Sequence, residues 1–534
     1  MLRFRPNYRS LTVAALFATS LFAADYAAEG KLWLAHVQFL ASDKLQGRNT
    51  GSPEFLEAAR YVETAFERIG LKPAGTSGYR QPVRFESRTL TDPSIELIRD
   101  GKAEAVAVGQ EASLNSRAEM PAVVEAPLVF TGYGMSIPEA HYDDLAGLDL
   151  HGKIAVYVNA AGPVEASANV KSHFSSAGER WAVFRKAGAI GMASLPNPRP
   201  NAPGATGGGR GGNSTPPPSV VLAERELQET VGQQISMTIT RRGAEKFFAG
   251  SGHTFEEIEA LVKDNKPLPR FPLPATLRAK ATLHREPMEA PNVAAILPGS
   301  DANLKGEYVI MSAHLDHVGV GRPVNGDAIY NGAMDNASGI ASLLEVARLV
   351  RQSGAAPKRS IVFVAVTAEE KGELGSQYFA AHPTVPAKQI VADVNLDMFL
   401  PLYPLKVIEV QGLAESSLGE QIRAAAKDLG VDVQTDREPE QNRFIRSDQY
   451  SFIRRGIPSL AFKFGYEFGS PEEKIRQTWV RDRYHKPSDD LTQPIDAAAA
   501  ALFDHVIADL LERVADEAAR PRWNADSFFR RFAQ

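Results

Sequence analysis

Cysteine is absent from all 534 residues. Disulfides, a lipidated cysteine anchor, thiol catalysis and thiolate zinc sites are thereby excluded. Any bound metal must be held mainly by His, Asp and Glu. A basic surplus is missing too: the formal net charge is -5, so no broad electrostatic footprint for nucleic acid exists. Past the N-terminus no apolar run approaches the roughly 20 residues of a membrane span. What is present, 44% hydrophobic and 23% charged residues, is ordinary for a globular chain. The length suits two or three domains that rely on their cores instead of crosslinks.

Arg3, Arg5 and Arg9 precede an apolar run from Leu11 to Ala24. Charge followed by a short apolar stretch is the pattern of an export signal. The expectation is a signal peptide over 1–24 and a periplasmic or secreted protein, with no stable membrane insertion after cleavage.

Apolar residues at helical spacing, Leu34, Val37 and Leu40, then Phe55, Ala58, Ala59, Val62, Phe66 and Ile69, predict two helices, the second stopped at Gly70. From about Pro121 short β-like runs alternate with Gly-rich turns. The Gly/Pro/Asn/Ser stretch between Pro198 and Pro218 is too poor in apolar residues to order itself and reads as a mobile surface loop. Beyond Asn292 apolar strands alternate with helical segments: strands at 308–312, 361–366, 391–396 and 459–464, helices at 339–350, 375–381, 414–429 and 497–511. Such continuous apolar strands predict an α/β fold, a mostly parallel or mixed sheet with helices on both faces. In that architecture ligands bind at the carboxyl ends of the strands.

Three of these strands run into groups able to bind metal: His314-Leu315-Asp316, Glu369-Glu370 and Asp397. The turn Asn331 to Gly339 carries Asp335, and Tyr484-His485 comes late in the chain. Singly each is weak, since a strand-end His or a Glu-Glu pair is usually a surface feature. Together, so many carboxylates at one sheet edge require cations. Two zinc ions accept this donor set and lie close enough for one carboxylate to bridge them. At the end of a strand, adjacent Glu369 and Glu370 diverge, so one can bind metal while its neighbour faces an attacking water. The His314-x-Asp316 spacing fits a carboxylate that orients the imidazole.

The segments Ser312–His317, Gly332–Gly339, Thr367–Glu370, Asn395–Met398 and Tyr484–Pro487 resemble, in order, the motifs of peptidase family M28, the zinc aminopeptidases and related carboxypeptidases. The resemblance covers roughly 28–120 and 290–514. It implies a zinc-exopeptidase fold with two zinc ions per chain, His314 and Asp397 holding one, Glu370 and His485 the other, and Asp335 bridging. Glu369 would be the general base, Asp316 would orient His314, and Tyr484 would donate to the developing oxyanion. Ser447-Asp448-Gln449 stands where relatives often carry Ser-Asp-His, so Gln449 is a departure. That segment, with Asp448, Gln449 and Arg446, is expected on the substrate side.

The middle of the chain resembles a protease-associated (PA) domain in Phe130–Gly134, Tyr142–Asp144, Leu148–Ile154 and Ala187–Ile190. The expected organisation is a signal at 1–24, the start of the peptidase domain at 25–120, a β-rich PA-like insert with its return linker at 121–285, and the main peptidase domain at 286–534. The expected activity is removal of N-terminal residues from peptides. A carboxypeptidase would use Arg443 and Arg446 for a terminal carboxylate where an aminopeptidase would use Asp448 for a free amine. A glutaminyl cyclase-like enzyme would need only one zinc, and a binding protein would have lost the ligands that this chain keeps.

Overall fold

The computed structural model describes residues 25–199, 218–354 and 356–533. The segment 1–24 expected as an export signal and most of the Gly/Pro-rich stretch, 200–217, lie outside the described residues. The two N-terminal helices are Tyr26–Leu40 and Pro53–Ile69. Ser52 caps the second at its start by accepting from the Phe55 N–H, and left-handed Gly70 ends it, as helix-terminus chemistry requires.

The peptidase sheet is mixed. Tyr308–His314, Ser360–Val366, Ile390–Asn395 and Ser459–Phe464 run parallel, and Val407–Gln411 is antiparallel at the far side. Both faces are covered, and the strands show why. Val309, Met311, Ala313, Ile361, Phe363 and Ala365 pack into one core with the N-terminal helices and with Ser338–Gln352 and Ala497–Asp516. The intervening Ile310, Val362, Val364 and Val366 pack on the other face against Phe379 and Phe452. Apolar residues at every position of a strand are what two-sided burial demands.

Two expectations shift. The helix expected over 414–429 is Leu418–Asp428. Its would-be first turn instead pairs with the C-terminal tail, where Ser417 N–H meets the Arg522 carbonyl and Ser416 bridges to Trp523. The insert also begins well before residue 121. Ile95, Leu97, Val106 and Leu114 join its core, and helices Arg241–Phe248 and Phe255–Lys263, within the segment expected as a linker, supply Phe247, Phe255 and Ile258 to it. The 27-residue strand Phe271–Leu297 joins the two units. Its start pairs with Val123–Phe130 of the insert, its end with Ser360–Val366 of the peptidase sheet, and Arg80–Arg99 runs beside it.

Within the helical face, Asp504 is buried and its Oδ1 has no hydrogen-bond partner among the described residues. Burial pushes its pKa well above the ordinary value, with Glu345 adding to the rise against a hydrogen bond from Ser342. The folded state therefore holds this proton more tightly than the unfolded chain, so its stabilising contribution is full below about pH 4 and is lost as pH rises through the folded pKa. Asp504→Asn should leave Tm almost unchanged at pH 4 and raise stability by about 1–3 kcal/mol at pH 8. Thermal unfolding of both proteins across that range checks it.

Candidate metal centre

At the carboxyl ends of the parallel strands the sequence turns sharp corners. Ala368, Met398 and His485 adopt left-handed φ of 57°, 47° and 53°. Non-glycine residues rarely do so unless their surroundings enforce it. Each corner adjoins or is a candidate ligand: Glu369–Glu370, Asp397 and His485 itself. Gly332 opens the Asp335 turn at φ 62°, and a Cβ there would meet the Asp335 carbonyl at 2.1 Å and the His317 ring at 2.6 Å. Only glycine fits.

Two donor sets result, and they share Asp335. His314 Nε2 lies 3.3 Å from Asp335 Oδ1 and 3.5 Å from Asp397 Oδ1. His485 Nε2 lies 3.1 Å from Asp335 Oδ2 and 3.2 Å from Glu370 Oε2. Zinc bonds of 2.0–2.1 Å in tetrahedral array place neighbouring donors about 3.3 Å apart. All four separations match. Buried His314 Nε2 and Asp397 Oδ1 also lack hydrogen-bond partners among the described residues. Donor type, spacing and unsatisfied atoms all fit two zinc ions bridged by the Asp335 carboxylate.

The electrostatics agree. Burial opposes charge on every group here, yet the histidines and carboxylates force it on one another. Against burial, Glu369, Asp335 and Asp397 lift the His314 pKa well above its ordinary value. Asp335 is held well below its own by His317, His314 and His485 despite burial. Against burial and the Asp335 charge, His317 and His485 hold Glu370 down to about 2. Glu369 goes the other way: burial, then the Asp397, Glu370 and Asp448 charges, push it well up against His314.

Supporting contacts come from distant segments. Arg48 is fully buried and donates to the carbonyls of Leu315, Leu40, Asn331 and Gly332. Burial lowers its pKa to about 10, while Asp335, Asp489, Asp316 and Glu370 hold its charge. Asp489 accepts the Met334 and Asp335 N–H groups at 3.0 Å each, pinning the bridging turn. Lys463 donates to the Asp397 carbonyl at 2.7 Å. None of these three was marked as functional in the sequence. Asp489 was the most legible of them, four residues past His485.

The structure revises several expected roles. His314 Nδ1 meets the backbone carbonyl of Asp316 at 3.1 Å, not its carboxylate. That carboxylate instead receives the Thr50 hydroxyl at 2.8 Å and the Glu369 N–H at 3.1 Å, so it fixes the corner that carries Glu369. Gln449 is buried with its amide committed to Asn395 Nδ2 and to the Arg443 and Phe444 carbonyls. A buried amide must satisfy its own groups first, and Gln449 therefore braces the loop instead of meeting substrate. Arg446 is exposed and donates to the Gln441 carbonyl. Arg443 is paired with Glu438 at 2.9 Å. Asp448 is sealed from solvent, without hydrogen-bond partners for either oxygen in the described geometry. Burial raises its pKa to about 7, with Asp397 and Asp316 adding and His314 opposing. Tyr484 stacks on His485 with ring centroids 4.0 Å apart.

Residues 292–511 match Peptidase family M28. A probable leucine aminopeptidase 2 of Aspergillus oryzae (strain ATCC 42149 / RIB 40) is 30% identical over 214 residues, 38% of this chain and 40% of its own length. Aminopeptidase YwaD of Bacillus subtilis (strain 168) is 29% identical over 213 residues, 38% of this chain and 41% of its own. The matched stretch thus spans about two fifths of these curated relatives. In fold the chain is similar to an aminopeptidase from Aneurinibacillus sp. strain AM-1, with a TM-score of 0.53 and 20% identity, covering 93% of this chain and 98% of that one.

His317 lies behind Glu370 rather than among the ligands. Its Nδ1 is 2.7 Å from Glu370 Oε1 and 3.8 Å from Asp335 Oδ2. The first distance is a close polar contact and the second exceeds a ligand-to-ligand edge. His317 therefore aims Glu370, leaving Oε2 for the metal. Outer-sphere partners of this kind are worth 10–100-fold in metal affinity. His317→Ala should weaken zinc binding by about that factor in chelator competition, and His317→Asn should recover part of the loss.

Proposed function

We propose that the protein is a zinc-dependent exopeptidase that removes N-terminal residues from peptides. The observation that carries this is the pair of donor sets sharing Asp335, with Glu369 alongside them. Zinc held there supplies Lewis acidity, which acidifies water and polarises a carbonyl. Glu369 takes the proton of the attacking water and returns it to the leaving amine, a task suited to a carboxyl whose pKa is pushed up. Asp316 holds the Glu369 peptide in place. Tyr484 donates to the oxyanion as it develops.

The aminopeptidase reading is favoured over a carboxypeptidase by charge. Acidic groups, Glu369, Glu373 and Asp448, stand near the ligands, whereas Arg443 is paired and Arg446 is exposed. The insert reads as PA-like on its Gly-Tyr-Gly and Gly-Lys-Ile turns, and as a wall that favours short peptides.

Hydrolysis of aminoacyl-p-nitroanilides and of peptides of graded length is the test. Activity should vanish on chelation, return with zinc, and fall at least 1,000-fold in Glu369→Gln, on the scale of losing a proton-transfer group. Activity on N-blocked peptides alone would shift the assignment to a carboxypeptidase.

We also propose export, on the Arg3 to Ala24 pattern. Fractionation followed by N-terminal mass analysis should find a non-cytoplasmic chain that starts near residue 25. A cytoplasmic chain with intact Met1 would reject it.

A further inference from the structure

Between the insert and the turn that follows Glu369–Glu370 lies a solvent-open cleft of about 180 Å³. Its walls include Trp181 and Met192 of the insert and Gly372 and Leu374 of the peptidase unit. The Gly372 N–H bonds the Glu369 carbonyl at 2.8 Å, and the Leu374 N–H bonds the Ala368 carbonyl at 3.0 Å. The turn that carries the proposed base is therefore also a wall of the cleft.

Two polar side chains lining this cleft are left underused. Gln233 is fully buried, yet among the described residues neither its amide nitrogen nor its oxygen has a hydrogen-bond partner. Its backbone is satisfied by Thr230 and Glu119, so the spare capacity belongs to the side chain. Arg117 places one side-chain hydrogen bond, from Nη2 to the Lys371 carbonyl at 2.6 Å. No carboxylate among the described residues pairs with it. The nearest influences, Glu229 and Glu373, act at longer range against burial that lowers its pKa, and Glu229 is engaged with Arg454 at 2.7 Å. Gly372, at φ 108°, lets the guanidinium approach: a Cβ there would stand 3.1 Å from it. A sheltered guanidinium with free donors is a carboxylate fork, and a free primary amide complements a peptide group, donor to carbonyl and acceptor to N–H.

We propose that this cleft is a subsite for a carboxylate carried by the peptide beyond the scissile bond, Arg117 taking the carboxylate and Gln233 the neighbouring peptide group. Two sources share that chemistry, the C-terminal carboxylate of a short peptide and an Asp or Glu side chain of a longer one. Three or four extended residues span roughly 10–14 Å, enough to pass from one side of a tight turn to the other. The inference rests on the peptidase reading and names what that site prefers.

The test compares the full-length zinc-loaded protein with Arg117→Met and Gln233→Leu. Substrates are Leu-Gly-Gly as free acid and as C-terminal amide, Leu-Gly-Asp-amide against Leu-Gly-Asn-amide, and leucine p-nitroanilide as a short reporter without a carboxylate. KM for the free acid should rise roughly tenfold or more in Arg117→Met, as for loss of a charged hydrogen-bond partner, with turnover of the p-nitroanilide unchanged. Gln233→Leu should raise KM for the peptides and leave the p-nitroanilide unchanged. A preference for Asp over Asn that Arg117→Met abolishes would assign the site to side-chain carboxylates. Equal KM for acid and amide together with no Asp preference would overturn the proposal, as would an Arg117→Met effect of equal size on every substrate. Calorimetric titration of Leu-Gly-Gly and its amide into Glu369→Gln separates this from the peptidase reading. Preference for the acid, lost on adding Arg117→Met, upholds the subsite even if no substrate is cleaved. Normal cleavage without that preference sinks the subsite alone.

Discussion

Repulsion among buried carboxylates is the constraint around which this molecule is arranged. Asp316, Asp335, Asp397 and Asp448, with Glu369 and Glu370 beside them, are gathered at one end of a parallel sheet. Like charges this close raise one another's pKa and cost stability unless cations intervene. The chain supplies part of the compensation itself. Arg48 sits behind the loops, Lys463 beneath Asp397, and three histidines are interleaved with the acids. The rest of the demand is what zinc meets.

That arrangement divides labour between halves of the chain. Carboxyl-terminal strands present the ligands, while N-terminal residues hold the ligands' backbone. Arg48 reaches four carbonyls, Thr50 reaches Asp316, and His317 N–H rests on the Arg48 carbonyl. The two N-terminal helices are therefore more than cover for the sheet. They carry the segment that fixes the two loops bearing His314 and Asp335.

Legibility in the sequence followed the range of the physics. The peptidase strands were visible because two-sided burial writes an unbroken apolar run, and the ligands because each ends such a run. The geometry groups His314, Asp335 and Asp397, and sets Glu370 beside His317 and His485. What stayed hidden depends on partners far away in the chain. Arg48 looks like any surface arginine until it meets carbonyls 267 and 283 residues on. The true role of the Asp316 carboxylate, bonding the Glu369 N–H 53 residues later, has no signature in His-x-Asp spacing. Gln449 resembled a specificity residue because it stands in a familiar motif, whereas burial made it a brace. The start of the insert was misplaced because Ile95 and Leu97 alternate with polar residues as any half-buried strand does, and alternation does not say which core a strand joins.

The long strand Phe271–Leu297 carries one last implication. It is hydrogen-bonded at one end into the insert and at the other into the peptidase sheet, with Arg80–Arg99 laid along most of its length. The ladder, with register shifts near Thr276 and Thr282, ties the two units through one strand. The spacing of the two units is thus written into the register of one strand, as in a gauge whose jaws are cast in one piece.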